Sequence, residues 1–195
     1  MPIFLRALAL LGLAISVVAS PDFCVGDASG LIVALTSPCP ENSSPLRAVG
    51  ANLFDVFWGA WGTAGPNGTL ATSLQAVRDA RASGIRVARA FAVPFSYHGW
   101  AWAAGGAARD AYWAAAAAVI GEAERAGLAL VLSLGHGCPD STAPCNPAVI
   151  YNETYRDFII NASSQTRGAI RAYHADFVTR FRGSRAVLMW ELGNE

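Results

Sequence analysis

Tryptophans that stand beside polar side chains are the residues of this chain best suited to do chemistry. Five of the six tryptophans fall in short runs that follow apolar segments: Trp58, Trp61, Trp100, Trp102 and Trp190. The polar residues around them include Asp55, Arg89, Tyr97, His98, His136, Glu191, Asn194 and Glu195. An indole ring can stack on the C–H face of a pyranose, while Arg, Asn, Glu and His bind the hydroxyls around its edge. These runs therefore favour a carbohydrate ligand; the alternative is that the indoles only seal the end of a hydrophobic core.

The elements that must position these residues alternate regularly. Apolar runs predict strands at 46–57, 85–93, 128–134 and 186–192, and helical spacing predicts helices at 69–83, 109–126 and 165–181. Gly84 and Gly127 are expected to end the first two helices. The third helix carries one stripe of large side chains: Ile170, Tyr173, His174, Phe177 and Phe181. The alternation implies βαβ crossovers and a parallel sheet whose functional residues follow the carboxyl ends of the strands. The sixth tryptophan, Trp113, lies on the second helix and is expected in the core.

The four strands resemble those of glycoside hydrolase family 5 of clan A, which contains cellulases and β-mannanases. The run VLMWELGNE, at 187–195, resembles the family's fourth strand; RAVGANLFDV resembles its first, and SGIRVARAF its Gly-x-x-x-x-Arg second strand. LVLSLGHG resembles the third strand, but it lacks the aspartate of the family's Asp-Leu-His and has an extra glycine that displaces His136. The resemblance covers about 46–195 and implies an α/β fold, the (β/α)8 TIM barrel, of which this chain carries about the first four βα units.

The resemblance implies hydrolysis by double displacement with retention of stereochemistry. Glu195 would be the general acid and then the base, while a second carboxylate about 5–5.5 Å away attacks the anomeric carbon. Asn194 would donate a hydrogen bond to the sugar 2-hydroxyl, and Arg89 would orient the nucleophile, with a structural ion pair as its alternative. We expect Glu191 either to be structural or to support the catalytic residues from just below them. The substrate-binding residues would be Arg89, His136, Trp58, Trp61, Trp100 and Trp102. Neither step calls for a metal or an organic cofactor.

The nucleophile of this mechanism is expected at the end of a seventh strand, which the sequence does not reach. A complete barrel takes about 250 residues. Removing a 20-residue leader from the 195-residue chain leaves 175. We therefore expect 46–195 to be the N-terminal half of a TIM-barrel glycoside hydrolase domain, inactive by itself.

Residues 1–20 have the pattern of a secretory signal peptide. Arg6 precedes an apolar run at 7–19, which is shorter than the roughly 20 residues of a membrane span, and small residues stand at 18–20. A signal anchor is the alternative.

The four cysteines are Cys24, Cys39, Cys138 and Cys145. Their closeness in sequence favours disulfides between the first and second, which would cross-link a lead-in segment at 21–45, and between the third and fourth. All three possible connectivities stay open. Zinc binding is disfavoured because no Cys-x-x-Cys spacing occurs.

Four glycosylation sequons agree with secretion: Asn42, Asn67, Asn152 and Asn161.

The chain has 14 basic and 14 acidic residues and therefore zero net charge. It has no excess of positive charge that would favour binding to nucleic acid, or to a membrane surface after signal cleavage. A neutral polysaccharide such as mannan or cellulose is the expected partner, and the oligomeric state stays open. The alternatives are another clan A hydrolase of the β-galactosidase or β-glucuronidase type and a non-catalytic carbohydrate-binding protein. A flavodoxin-like sheet is disfavoured because no Gly-rich phosphate loop follows the first strand.

Overall fold

The computed structural model describes residues 23–25, 32–34, 48–61, 68–93, 95–96, 99–135 and 151–192. The strands are β1 (Phe23–Val25), β2 (Ile32–Ala34), β3 (Gly50–Asn52), β4 (Val87–Phe91), β5 (Phe95–Ser96), β6 (Gly99–Trp100), β7 (Ala129–Ser133) and β8 (Val187–Glu191). The helices are α1 (Val56–Ala60), α2 (Leu70–Ala82), α3 (Ala101–Ala104), α4 (Gly106–Ala126), α5 (Tyr155–Ile160) and α6 (Gln165–Phe181). β1 pairs with β2 and β5 with β6, both antiparallel, and the other four strands form one sheet.

This four-stranded sheet is parallel, and its spatial order, β3-β4-β7-β8, is also the order of the strands along the chain. The predicted parallel sheet is thus confirmed. A doubly wound sheet of the flavodoxin type reverses its strand order near the first strand and carries helices on both faces. The described sheet has no such reversal. The fold is mixed α/β and is compatible with part of a TIM-like barrel.

The predicted first strand is wrong over most of its length. Of the described residues 48–57 only Gly50–Asn52 form a strand, and α1 begins at Val56 after the N-cap Asp55. The last bond that links this segment to the sheet runs from the Leu53 N–H to the Arg89 carbonyl, at 2.8 Å. Beyond it the chain turns away, and Val56 and Phe57 bury their side chains from a helical turn. Apolar side chains can be buried from a strand or from a helix. The apolar composition of this run therefore could not show that its second half is helical.

The main core lies between one face of the sheet and helices α1, α2, α4 and α6. Ala88 and Ala90 of β4, and Leu130 and Leu132 of β7, are completely buried in it. Because successive side chains of a strand point to opposite faces, Arg89 lies on the face away from these helices. β7 is buried along nearly its whole length, as its continuous apolar run predicted. Trp113 is in the core, as expected, with 7% of its surface exposed.

The predicted ends of the first two long helices are confirmed. Gly84 has φ +85° after α2, and Gly127 has φ +68° after α4, a left-handed conformation that L side chains rarely adopt. α4 begins at Gly106, three residues before the predicted start. The stripe predicted on α6 also faces the core, since Tyr173 and Phe177 are buried there. None of the described helices combines the length and the apolar character needed to cross a membrane.

Candidate functional site

An ion pair lies on the face of the sheet that is turned away from the helices. The Arg89 guanidinium donates from Nε to Glu191 Oε2 at 2.9 Å, and from Nη2 to Oε1 at 2.8 Å and Oε2 at 2.7 Å. The two side chains are 30% and 32% exposed. Their strands, β4 and β8, are not neighbours, because β7 runs between them. The pair therefore crosses the face of β7, where Arg89 is in register with Val131 and Glu191 with Ser133.

Two stacked phenylalanines lie beside this ion pair. The rings of Phe54 and Phe91 have centroids 4.3 Å apart and planes within 6° of parallel. The Arg89 Cζ lies 5.9 Å from the Phe54 centroid and 5.7 Å from the Phe91 centroid, within the range of cation–π attraction. Phe54 follows β3 and Phe91 ends β4, so the ring pair joins the carboxyl ends of two adjacent strands. The guanidinium is thus held by a carboxylate and by two ring contacts, and its orientation is well defined.

The tryptophans that were predicted to bind a sugar make packing contacts. Trp58 packs beside Phe91, with 6.1 Å between ring centroids, and Trp61 meets Tyr112 edge-on at 5.8 Å. Trp102 donates from Nε1 to Asp176 Oδ2 at 3.1 Å, and the Arg109 Cζ lies 4.9 Å from its ring centroid. All three indoles are partly buried against the core. These contacts match the alternative in which the indoles seal the core, and their stacking on a sugar stays a prediction.

A hydrogen-bonded pair of buried tyrosines stands just beyond β4, and sequence reasoning missed it. The Tyr112 and Tyr173 hydroxyls are 2.7 Å apart, and both lie within hydrogen-bonding distance of the Ala92 carbonyl, so one phenol donates to the other and the second donates to that carbonyl. Burial raises the pKa of both phenols well above the usual value, so both are neutral hydrogen-bonding groups. Helical spacing placed Tyr173 on a buried stripe, but nothing in the sequence marked Tyr112 as its partner. The pair fixes α4 and α6 to the carboxyl end of β4.

Glu153 forms a second polar cluster that the sequence did not single out. Its carboxylate accepts hydrogen bonds from the Ser164 Oγ at 2.5 Å, the Gln165 N–H at 2.7 Å and the Thr166 N–H at 3.1 Å. The Gln165 and Thr166 N–H groups belong to the first turn of α6 and have no acceptor within the helix, and Ser164 is its N-cap residue. The Ser164 hydroxyl above all, together with these amides, lowers the pKa of Glu153 to about 2. The only signal in the sequence was Ser164 as an N-cap residue.

Several predicted residues lie outside the described part of the chain, and their roles stay predictions. They are Asn42, Asn67, Tyr97, His98, His136, Asn194, Glu195, Cys39, Cys138, Cys145, the signal segment at 1–20 and most of the lead-in at 21–45. Cys24 lies in β1 and Trp100 in β6. Of the sequon residues, Asn152 and Asn161 are exposed, and Asn161 Oδ1 accepts from the Ser163 N–H at 2.9 Å. Within the described residues, no group of three or more His, Cys, Asp or Glu side chains could hold a metal ion.

Comparison with known proteins gives a likeness of fold only. No family model matches the sequence, and no curated protein matches it either. Solved structures that match the fold include one titled "Glycoside hydrolase", with a TM-score of 0.55 and 12% sequence identity. The match covers 90% of this chain and 34% of that structure, so this chain spans about a third of its length. The chain is therefore similar in fold to part of a glycoside hydrolase.

Proposed function

We propose that this chain carries the first four βα units of a (β/α)8-barrel glycoside hydrolase that resembles family 5. The observation that carries the proposal is the sheet order. Four parallel strands that lie side by side in chain order, with the main core and its helices on one face, are what the first half of such a barrel requires. The likeness to about a third of a structure titled glycoside hydrolase supports the same interpretation.

The proposed chemistry is located at the carboxyl end of β8. Glu191 is the last residue of that strand, and Asn194 and Glu195 follow within four residues. Loops that follow barrel strands carry the catalytic groups of this fold, which supports Glu195 as general acid and base and Asn194 as donor to the sugar 2-hydroxyl. Arg89 is close to that end of the sheet. Its pairing with Glu191 gives it a fixed guanidinium from which to orient the nucleophile.

The proposal extends to substrate and location. The substrate would be a neutral β-linked polysaccharide such as mannan or cellulose, in keeping with the zero net charge of the chain. The signal-peptide pattern, four cysteines and four sequons support a secreted, disulfide-bonded glycoprotein. A second clan A family of the β-galactosidase or β-glucuronidase type would use the same Asn194 and Glu195.

The test begins with the coding sequence downstream of codon 195. We expect further strand–helix units and a glutamate after the seventh strand. The protein expressed with that segment should hydrolyse β-1,4-mannan or a soluble cellulose derivative, and proton NMR should show that the first product keeps the β-anomer. Glu195→Gln should lower kcat by 10²- to 10⁴-fold, as expected for loss of a general acid and base.

Asp110→Asn, a change on the exposed face of α4, is the matched control and should leave the rate unchanged. Full activity in Glu195→Gln, or an inverted first product, would contradict the proposal. A stop codon directly after Glu195 would favour the non-catalytic carbohydrate-binding alternative.

A further inference from the structure

Two of the four sequons lie in the described part of the chain, one on each side of α5. Asn152-Glu153-Thr154 leads into this helix, and Asn161-Ala162-Ser163 follows it. In a sequon the asparagine amide nitrogen accepts the sugar, and the transferase also binds the hydroxyl of the third residue. Both groups must therefore be open to the enzyme at the same time, and the two sequons differ in this respect.

The hydroxyl of the first sequon is part of a helix cap. Thr154 Oγ1 accepts from the Asp157 N–H at 3.0 Å and donates to Asp157 Oδ2 at 2.6 Å, and the Thr154 N–H donates to the same oxygen at 3.1 Å. These bonds form a capping box at the start of α5. The Thr154 hydroxyl above all lowers the pKa of Asp157, so this carboxylate is a charged acceptor at neutral pH.

The middle residue of the first sequon is engaged as well. Glu153 accepts from Ser164 and from the first amides of α6, as described above. Asn152 itself is exposed, but the two residues that follow it are tied to the starts of two helices. A transferase can bind this sequon as a unit only after those contacts open.

The second sequon lies in the short connection between α5 and α6 and is open along its whole length. Asn161, Ala162 and Ser163 are all exposed, and Ile160 directly before them is 62% exposed. Asn161 Oδ1 accepts from the Ser163 N–H at 2.9 Å. This bond uses the carboxamide oxygen and the backbone of Ser163, so it occupies neither the amide nitrogen nor the Ser163 hydroxyl. The two groups that the transferase needs are thus presented on the surface.

We propose that, of these two sequons, the folded chain accepts an N-linked glycan at Asn161, while the capping box of α5 protects Asn152. The Asn161 amide nitrogen attacks C1 of an oligosaccharide carried on a lipid diphosphate, the donor that the host transferase uses. A bond forms between Nδ2 and C1, and the bond from C1 to the phosphate oxygen breaks, with its electron pair leaving on the diphosphate. One amide proton passes to a base of the transferase. The proposal rests on the proposed function only for entry into the secretory pathway.

The test measures the occupancy of both sequons in the 195-residue chain, made in a eukaryotic host with a proven secretory leader in place of 1–20. Peptide N-glycosidase in heavy-oxygen water converts each occupied asparagine to a labelled aspartate, which peptide mass spectrometry counts. Free peptides 149–156 and 158–165, incubated with microsomes, give the acceptor strength of each sequon outside the fold. Relative to its free peptide, Asn152 should be about fivefold less occupied than Asn161, the factor that one helix cap contributes to an opening equilibrium.

Three variants separate the two sequons. Ser163→Ala removes the hydroxyl but keeps the N–H that binds Asn161, and it should abolish occupancy at Asn161 alone. Asp157→Ala opens the capping box and should raise occupancy at Asn152 about fivefold, with circular dichroism showing that the fold is kept. Arg156→Ala, an exposed change on the same helix, is the matched control and should leave both occupancies unchanged.

Equal occupancy of the two sites relative to their free peptides would overturn the proposal, as would an unoccupied Asn161. Continued protection of Asn152 in Asp157→Ala would overturn the role of the cap. The chain with its own residues 1–20 tests a different statement. If that chain stays in the cytosol without glycans, the secretory part of the proposed function fails, while the result with the proven leader still decides which sequon is modified.

Discussion

The Arg89 guanidinium and the Glu191 carboxylate meet above a strand to which neither belongs. Each would otherwise leave a charge partly shielded from water on the sheet face, where an unpaired charge is costly. Three donor–acceptor distances between 2.7 and 2.9 Å make this a charge-assisted fork rather than a loose surface contact. The pair therefore stabilises the relative position of β4 and β8 and orients Arg89 at the same time.

Glu191→Gln tests this stabilisation. The substitution keeps the shape of the side chain but removes its charge, so we expect the free energy of unfolding to fall by about 1–2 kcal/mol. Urea denaturation followed by circular dichroism measures the change. Asp110→Asn, which removes an exposed carboxylate, should cost less than about 0.5 kcal/mol. Equal stability of the two variants would show that the ion pair contributes nothing.

The buried tyrosine pair leads to a second prediction. Tyr112→Phe and Tyr173→Phe should each lower the free energy of unfolding by about 0.5–1.5 kcal/mol, because each removes one hydroxyl from the hydrogen-bonded cluster at the Ala92 carbonyl. The double variant should differ from the sum of the two, since the hydroxyls form one hydrogen-bonded cluster with the Ala92 carbonyl. A double-mutant cycle by urea denaturation measures this coupling, and strict additivity would contradict it.

At the scale of residues, the sequence indicated single functional candidates but not the side chains that they contact. Arg89 could be selected because the run SGIRVARAF resembles the Gly-x-x-x-x-Arg second strand of the family, which distinguishes it from Arg86 on the same predicted strand. The bond between Arg89 and Glu191 could not be predicted, because the two are 102 positions apart and their meeting depends on the register of β7 against both neighbouring strands. For the same reason, nothing in the sequence indicated that Tyr112 and Tyr173 share an acceptor.

At the scale of elements, α6 shows how a helix start can depend on a distant side chain. Glu153 lies 11 to 13 positions before the three groups that it binds, so it closes the loop that contains α5 against the first turn of α6. A negative charge at a helix N-terminus is also favoured by the helix dipole. The start of α6 is thereby fixed by electrostatics as well as by packing.

Glu153 should make stability depend on acid pH. Its pKa is lowered from 4.5 to about 2 in the folded chain, so the folded state holds the deprotonated form more tightly than the unfolded state does. Its contribution is therefore complete above pH 4.5 and is lost as the pH falls through 2. Glu153→Gln should have a lower urea midpoint than the unchanged protein at pH 7, and the gap should shrink between pH 4.5 and 2.

Asp110→Asn serves again as the control for this pH series. It should leave the urea midpoint close to that of the unchanged protein at every pH, because its carboxylate makes no described contact. A gap for Glu153→Gln that stays constant with pH would contradict the assignment of the acid dependence to Glu153.

The long elements were predictable because their hydrophobic period is sustained. α2, α4 and α6 each run for three or more turns, and β7 lies within a continuous apolar segment. The short elements were not predictable. α1 has five residues, too few to show a helical period, and its apolar letters fit a strand equally well. α5, with six residues, is marked mainly by Thr154, whose hydroxyl accepts from the Asp157 N–H.

At the scale of the whole molecule, the sheet order determines what this chain is expected to do alone. The proposed mechanism needs a second carboxylate about 5–5.5 Å from the acid, and the family resemblance puts that group after a seventh strand. The purified 195-residue chain should therefore release no reducing sugar from mannan or from soluble cellulose. A colorimetric reducing-end assay checks this, with an established β-mannanase as positive control. Release that depends on Glu195 would show that the nucleophile lies within this chain.

The four parallel strands lie in the sheet in their order along the chain, and this order affects how the protein can fold during synthesis. In the four-stranded sheet, β4, β7 and β8 each pair with a strand that has already left the ribosome, so none of the three has to wait for a later segment to begin pairing. The Arg89–Glu191 bond is the exception, since its acceptor emerges 102 residues after its donor. Stalled nascent chains that end within α6 should already protect β4 from hydrogen exchange before Glu191 has been synthesised. When β8 emerges, Glu191 can bind Arg89 and link β4 to β8 across β7.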